Sequence, residues 1–240
     1  MNSNNNLLKT TAVFLIIESL LIFFPLVILG NSINWPASLD QSAKINLPII
    51  LEHYSSMILG YSIYLIYSLL FWPVAYLTGR VIAIQKHERT LVKIANGFAI
   101  LSVMSRCLGI VRWLFAMPIL AKFYIDSKTA QITKNNISII YEILNSYAGG
   151  IGELLGVSLF TVLWLVLISI LILRTKEYPK WLGYFGFITA LCLFMNLGEV
   201  IDIDMGPMIT ISTSLLQFWM FTTAIVLIVK IRKKKTPLEH

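Results

Sequence analysis

Two arginines, Arg106 and Arg112, lie inside an apolar stretch that runs from residue 94 to residue 121. Such a stretch is long enough to cross a bilayer as a helix, for which about 20 residues suffice. A guanidinium at bilayer depth costs at least ~2.5–3.5 kcal/mol, so each arginine is expected to have a partner. The chemistry that these residues predict is ion pairing or the binding of an anion.

Acidic partners for the arginines are available in other apolar stretches. The carboxylates there are Glu18, Glu52, Glu153, Glu199 and Asp202. We predict that Glu153 and Glu199 pair with the two arginines. The predicted buried polar cluster, which would also be the ligand-binding site, consists of Arg106, Arg112, Glu52, His53, Glu153, Asn196, Glu199 and Asp202.

The residue pattern gives catalysis little support. Metal-dependent hydrolases usually need two or three histidines at fixed spacing, and this chain has only His53, His87 and His240, without a His-Glu-x-x-His motif. A metal site would have to be built from His53, Glu52, Glu153 and Glu199. His53 with Ser56 is a weak hint of serine chemistry, and no Gly-x-Ser-x-Gly motif is present. We predict no catalytic residue, no metal and no cofactor.

The composition is that of an integral membrane protein. The 240 residues are 57% hydrophobic and 13% charged, with a mean hydropathy of +0.78, whereas a soluble domain has about 25% charged residues. A formal charge of +7 would suggest a nucleic-acid partner in a soluble protein. Here the basic residues flank the apolar stretches, so we predict membrane lipids and no nucleic acid as partners.

Six apolar stretches predict an all-α bundle of six transmembrane helices in a single domain, residues 1–237. The stretches are 11–30, 48–77, 94–121, 150–173, 181–203 and 208–230. Residues 122–149 become periodic from Ile137, which predicts an extra helix that runs into the fourth span or lies along the outer interface. The final Leu-Glu-His, residues 238–240, is typical of an expression-tag remnant.

The basic residues also predict an orientation. With the N-terminus in the cytoplasm, 13 lysines and arginines fall in inner segments and 4 in outer segments. Cytoplasmic segments carry the excess of positive charge in membrane proteins, so we predict that both termini are cytoplasmic. Most of the predicted cluster then lies in the outer half of the membrane, which predicts a polar chamber there with Arg106 at its floor.

Polar and small residues recur at helical spacing near Glu153. Four polar or small residues share one face if the fourth span is continuous with the helix before it: Glu142, Asn145, Gly149 and Glu153. Polar faces in lipid turn toward other helices or a water-filled cavity. A small-xxx-small pattern, which predicts a tight helix–helix contact, consists of Ala148, Gly152 and Gly156.

Two segments of the sequence resemble a known family. They are Gly149-Gly150-Ile151-Gly152-Glu153-Leu154-Leu155-Gly156 and Pro179-Lys180-Trp181-Leu182-Gly183-Tyr184-Phe185-Gly186. The chain is similar, across nearly its whole length, to bacterial multi-pass proteins grouped as domain of unknown function 4386. The resemblance implies a protein of the bacterial inner membrane, and it implies no activity for any residue.

The expected function is the non-enzymatic binding of a small polar or amphipathic ligand, such as a lipid headgroup, in the outer half of the membrane. One alternative is a secondary transporter or channel that uses the same arginines and carboxylates. A second alternative is an intramembrane hydrolase.

Overall fold

The structure is a computed structural model that describes residues 2–83 and 88–235. The protein is 90% helical, and no strand occurs in the described part of the chain. The α-helices are α1 (Asn2–Leu21), α2 (Phe23–Ile33), α3 (Ala43–Glu52), α4 (Tyr54–Ile82), α5 (Arg89–Val111), α6 (Met117–Ile125), α7 (Gln131–Gly149), α8 (Thr161–Arg174), α9 (Lys180–Met195) and α10 (Gly206–Lys235). The predicted tag remnant at 238–240 and the basic Lys86 lie outside the described residues.

Four helical segments of other types lie between these helices in the described part of the chain. Two are 3-10 helices, Ala37–Asp40 and Asn196–Ile201. The other two are π-helical, and we call Arg112–Ala116 the first π segment and Gly150–Phe160 the second π segment. Because a π turn places one extra residue in the helix, each of these segments changes the direction in which the following side chains point.

The prediction of an all-α protein with six membrane spans is confirmed. Within the described residues, six helical segments are long and apolar enough to cross a membrane. They are Asn5–Ile33, Tyr54–Ile82, Arg89–Ile125, Gln131–Arg174, Lys180–Ile201 and Met208–Lys233. The first span is interrupted between α1 and α2 because Pro25 has no N–H to donate to the carbonyl of Leu21.

Two of the spans are much longer than a bilayer requires. The third has 37 residues and the fourth has 44, which at a rise of ~1.5 Å per residue correspond to lengths of roughly 55 and 66 Å. The hydrocarbon core of a bilayer is only ~30 Å thick. Each helix must therefore extend past this core or tilt strongly. The predicted extra helix is α7, and it runs directly into the fourth span.

The second and fifth spans have different ends from those predicted. The second span was predicted over 48–77, but the helix breaks at His53, and a separate helix α3 precedes it. No proline or glycine marks this break in the sequence, and α3 packs against α6 and α7. The fifth span was predicted to reach residue 203, but it ends at Ile201, and Asp202 follows in a left-handed conformation with φ 59°.

The chain divides into two compact units. The larger unit comprises Met1–Leu20, Leu70–Val103 and Val157–His240. Its helices α8, α9 and α10 pack on one another around aromatic side chains. The Trp164 ring meets the Trp219 ring edge-on at 5.8 Å between centroids, and Gly186 permits a close approach of α9 to Ser169 and Trp219.

The smaller unit comprises Leu21–Leu69 and Met104–Gly156. Helix α3 packs against α6 and α7, and α6 also packs against α7 and the first π segment. The core of this unit is apolar and fully buried. It includes Leu29, Leu47, Met57, Trp113, Met117 and Tyr141. This unit holds both arginines of the predicted cluster.

Candidate functional site

A buried ion pair within the smaller unit joins a residue of the first π segment to a residue of the second. Nη2 of Arg112 donates to Oε1 of Glu153 at 2.9 Å. The Arg112 side chain is 5% exposed and the Glu153 side chain is 31% exposed. Arg112 is the first residue of the first π segment, and Glu153 lies in the second. Irregular π turns are frequent at functional sites, which singles out this pair from ordinary packing contacts.

The Arg112 guanidinium is not fully satisfied by its carboxylate partner. Two of its nitrogens, Nε and Nη1, are buried and have no hydrogen-bond partner. The group lies 5.4 Å from the Trp113 ring centroid, within the range of a cation–π contact. Since a buried donor without a partner costs about 1–3 kcal/mol, the side chain has unused capacity to bind an acceptor.

Gly149 provides the space in which the guanidinium lies. A β-carbon at this position would lie 3.1 Å from Nη1 of Arg112 and 3.4 Å from Nη2. By contrast, a β-carbon at the neighbouring Gly150 would meet no atom within 4 Å. Gly149 therefore has a specific steric role, and the adjacent glycine has none.

Aromatic side chains line the surroundings of the ion pair. Tyr61 stacks on Trp113 with 5.1 Å between ring centroids and an angle of 7° between planes. The buried hydroxyl of Tyr61 has no hydrogen-bond partner. Tyr64 stacks on Tyr67 at 5.8 Å and meets the edge of the Trp35 ring at 5.7 Å. Tyr61 thus packs on the same Trp113 ring that the Arg112 guanidinium contacts.

Glycines bring the backbones next to the pair into direct contact. A β-carbon at Gly152 would lie 2.9 Å from Cα of Gly109, and one at Gly109 would lie 2.7 Å from Cα of Gly152. One turn further, a β-carbon at Gly156 would lie 2.9 Å from the backbone nitrogen of Arg106. The carbonyl of Ala148 also faces Gly109, at 3.1 Å from its β-carbon position. Small residues thus hold Glu153 and Arg112 on closely apposed helices.

Helix α7 fixes the segment that precedes α3. Asn145 donates to the carbonyl of Leu39 at 2.7 Å, and Oε1 of Glu142 accepts from the backbone N–H of Ala43 at 3.2 Å. Asn46 donates to the Tyr141 hydroxyl at 2.6 Å. The face predicted from the spacing of Glu142, Asn145, Gly149 and Glu153 therefore makes polar or steric contacts along its whole length.

The other predicted residues of the smaller unit have varied surroundings. Arg106 is buried and packs against Gly156. Glu52 and His53 are exposed, at the end of α3 and at the break before α4. The structure thus places these two residues outside a buried cluster, because the chain turns where the sequence predicted a continuous span.

Three predicted cluster residues belong to the larger unit. Asn196 is buried and donates to the hydroxyls of Ser158 at 3.2 Å and Ser212 at 3.0 Å. Glu199 is partly buried, whereas Asp202 is exposed beyond the end of the fifth span. Glu18, an acidic candidate of the first span, is also in this unit and is fully buried. The pairing of an arginine with Glu199 stays a prediction.

Several residues of the site were missed from the sequence. Tyr61, Trp113 and Asn46 are ordinary members of apolar or amphipathic stretches, and no spacing rule distinguishes them. The π segments were also missed, although Pro118 just after the first is a signal for an irregular helix. Among the described residues, no group of three or more His, Cys, Asp or Glu side chains is arranged to hold a metal ion.

The fold and the charged residues in its spans define a multi-pass membrane protein. A family described as a domain of unknown function (DUF4386) matches residues 10–230. The chain therefore belongs to this family. No curated protein and no solved structure matches it.

Proposed function

We propose that the smaller unit binds the polar head of an amphipathic molecule at Arg112, without catalysing a reaction. The observation that carries this proposal is the buried guanidinium with two nitrogen donors that have no hydrogen-bond partner. An acceptor such as a phosphate or carboxylate oxygen would satisfy these donors with charge-assisted hydrogen bonds. Arginine is well suited to this role because its planar donors match both groups.

The surroundings of Arg112 support an amphipathic ligand over a fully polar one. The same part of the chain exposes large apolar side chains on α6 and α7. They include Ile119, Phe123, Ile139 and Ile143. An alkyl chain can remain in the hydrocarbon against such surfaces while its head binds the guanidinium. This arrangement keeps both the ligand tail and the exposed helix faces out of water.

The orientation is part of the proposal, and it places the smaller unit toward the outside of a bacterial inner membrane. The 13 to 4 distribution of basic residues supports cytoplasmic termini. The orientation can be tested with single cysteines in a background that lacks Cys107 and Cys192. One cysteine replaces Ser127, between α6 and α7, and the other replaces Lys176, between α8 and α9. We expect an impermeant maleimide to label Ser127→Cys on intact cells and Lys176→Cys only after permeabilisation. The reverse labelling pattern would contradict the orientation.

Ligand binding is tested most directly by filling the space next to the guanidinium. Gly149→Ala places a methyl group 3.1 Å from Nη1 of Arg112, so it should exclude a ligand oxygen. We expect phospholipid affinity to fall about 10-fold or more, the equivalent of one charge-assisted hydrogen bond worth ~1.5 kcal/mol or more. Native mass spectrometry with added phospholipid measures the affinity of the purified variant and of the unmodified protein.

Gly150→Ala is the matched control, since its β-carbon meets no atom within 4 Å. It should bind phospholipid like the unmodified protein. Equal affinities for the two alanine variants, or no phospholipid binding at all, would contradict the proposal. If proteoliposomes take up a solute and this uptake depends on Arg112, the protein is a transporter. If the protein converts the lipid to a product, it is an enzyme.

A further inference from the structure

We propose that the ligand head at this site is zwitterionic, with an ammonium a few ångströms from its phosphate or carboxylate. The inference rests on the proposed function and defines its ligand class. It follows from the charges at the site, where one buried cation and one partly exposed anion lie in direct contact. A ligand with a single charge would match only one of them.

The Arg112–Glu153 pair is electrically neutral, and this limits what it binds well. A purely anionic head would bring Arg112 a second negative partner and would lie beside the Glu153 carboxylate, from which it is repelled. A zwitterion avoids this conflict because its negative group contacts the guanidinium and its ammonium contacts the carboxylate. The combined site then stays neutral, and no net charge is transferred out of water.

The hydrogen-bonding groups of the pair that are still available also match a zwitterion. At the buried end, Nε and Nη1 of Arg112 are donors without acceptors. At the more exposed end, Glu153 uses Oε1 for the arginine, and the 31% exposure of its side chain leaves room for a further donor. An ammonium carries three such donors. The site therefore offers an acceptor and donors on opposite sides of one contact, as a zwitterion requires.

Partly buried aromatic rings of the smaller unit are suited to the cationic part of the ligand. Tyr64 is packed against the edge of Trp35 at 5.7 Å. Both rings are only partly buried. Aromatic faces attract ammonium groups, and clusters of them bind such ligands in other proteins.

Phospholipids that differ only in the head test the inference on the unmodified protein. Native mass spectrometry compares phosphatidylethanolamine, N-acetyl-phosphatidylethanolamine and phosphatidylglycerol with the same acyl chains. We expect at least about 10-fold tighter binding of phosphatidylethanolamine than of the other two, which lack the ammonium charge. Glycerophosphoethanolamine, which has the same head without acyl chains, is included to show whether a soluble zwitterion suffices.

The possible outcomes separate the two proposals. Equal or tighter binding of phosphatidylglycerol would overturn the zwitterionic head and leave lipid binding at Arg112 standing. Binding of none of the four compounds would overturn the proposed function itself. If glycerophosphoethanolamine binds as tightly as the lipid, the zwitterion is supported and the amphipathic ligand is wrong.

The variant Glu153→Gln tests whether the Glu153 carboxylate determines the preference between phospholipid heads. Glu153→Gln removes the negative charge and keeps the shape, so the preference for phosphatidylethanolamine over phosphatidylglycerol should fall at least about 10-fold. An unchanged preference in a folded Glu153→Gln protein would show that Glu153 does not hold the ammonium. If this variant does not fold, the comparison of the four compounds on the unmodified protein still decides the question.

Discussion

Replacing Glu153 by alanine is expected to destabilise the protein more than replacing Arg112 by alanine. Glu153→Ala leaves a guanidinium that is 5% exposed without a carboxylate, and arginine does not lose its proton in proteins. Removing one partner of a buried pair in this way costs about 3–5 kcal/mol. Arg112→Ala leaves a carboxylate that is 31% exposed and that, unlike a guanidinium, can lose its charge by protonation. Its cost should be nearer ~1.5–3 kcal/mol, the value of one charge-assisted hydrogen bond.

Unfolding of the purified variants in detergent measures this difference. The control is the double variant Arg112→Met/Glu153→Met, which removes both charges together. Replacing a buried ion pair by apolar residues of similar size is often neutral for stability, so the double variant should be close to the unmodified protein. An Arg112→Ala protein that is less stable than Glu153→Ala would contradict the asymmetry.

The double variant also separates a structural role from a functional one. If it folds as well as the unmodified protein and no longer binds phospholipid, the pair is not needed for the fold. The retention of two costly charges in membrane helices would then be explained by the ligand. If the double variant unfolds, the pair organises the smaller unit, and the binding proposal has to rest on the Gly149 comparison.

The second large effect is expected at the contact between Gly152 and Gly109. A methyl group on Gly152 would lie 2.9 Å from Cα of Gly109, and a backbone atom cannot move aside as the end of a flexible side chain can. Gly152→Ala must therefore separate the two helices. Overpacking of this kind typically costs about 1–3 kcal/mol, and Glu153, the next residue, would move away from Arg112 as well.

Gly150→Ala is again the control, because it adds the same methyl group two residues away in open space. In a helix it should be neutral or stabilising by up to ~1 kcal/mol, because alanine has the higher helix propensity. The melting temperatures of the two variants in the same detergent give the comparison. Equal melting temperatures would show that the helices can separate at little cost, and that the small residues are not a packing requirement.

Hydropathy was sufficient to predict the spans, because the cost of exposing polar backbone in lipid leaves few alternatives to apolar helices. It was not sufficient to predict their ends. Ile50 lies in the apolar run that was predicted as the second span, yet it belongs to the core to which α3, α6 and α7 contribute. Burial in protein and burial in lipid require the same residues, so composition cannot distinguish them.

The ionic part of the site was predictable, and its surroundings were not. Arg112 and Glu153 are conspicuous in apolar sequence, and the small residues near Glu153 indicated a close helix contact. The stacking of Tyr61 on Trp113 depends on residues that are distant in the sequence and meet only in the fold. The exposure of Glu52 and His53 likewise accompanies a helix break at His53 that no residue type in the sequence marks.

The burial of the Arg112 guanidinium has a consequence for the conditions under which the protein works. Dissolved ions weaken attractions between charges only where water surrounds them. A contact of 2.9 Å around a side chain that is 5% exposed is largely closed to such ions. The attraction at this site is therefore nearly independent of the ionic strength of the medium, in contrast to that of the basic residues at the ends of the spans.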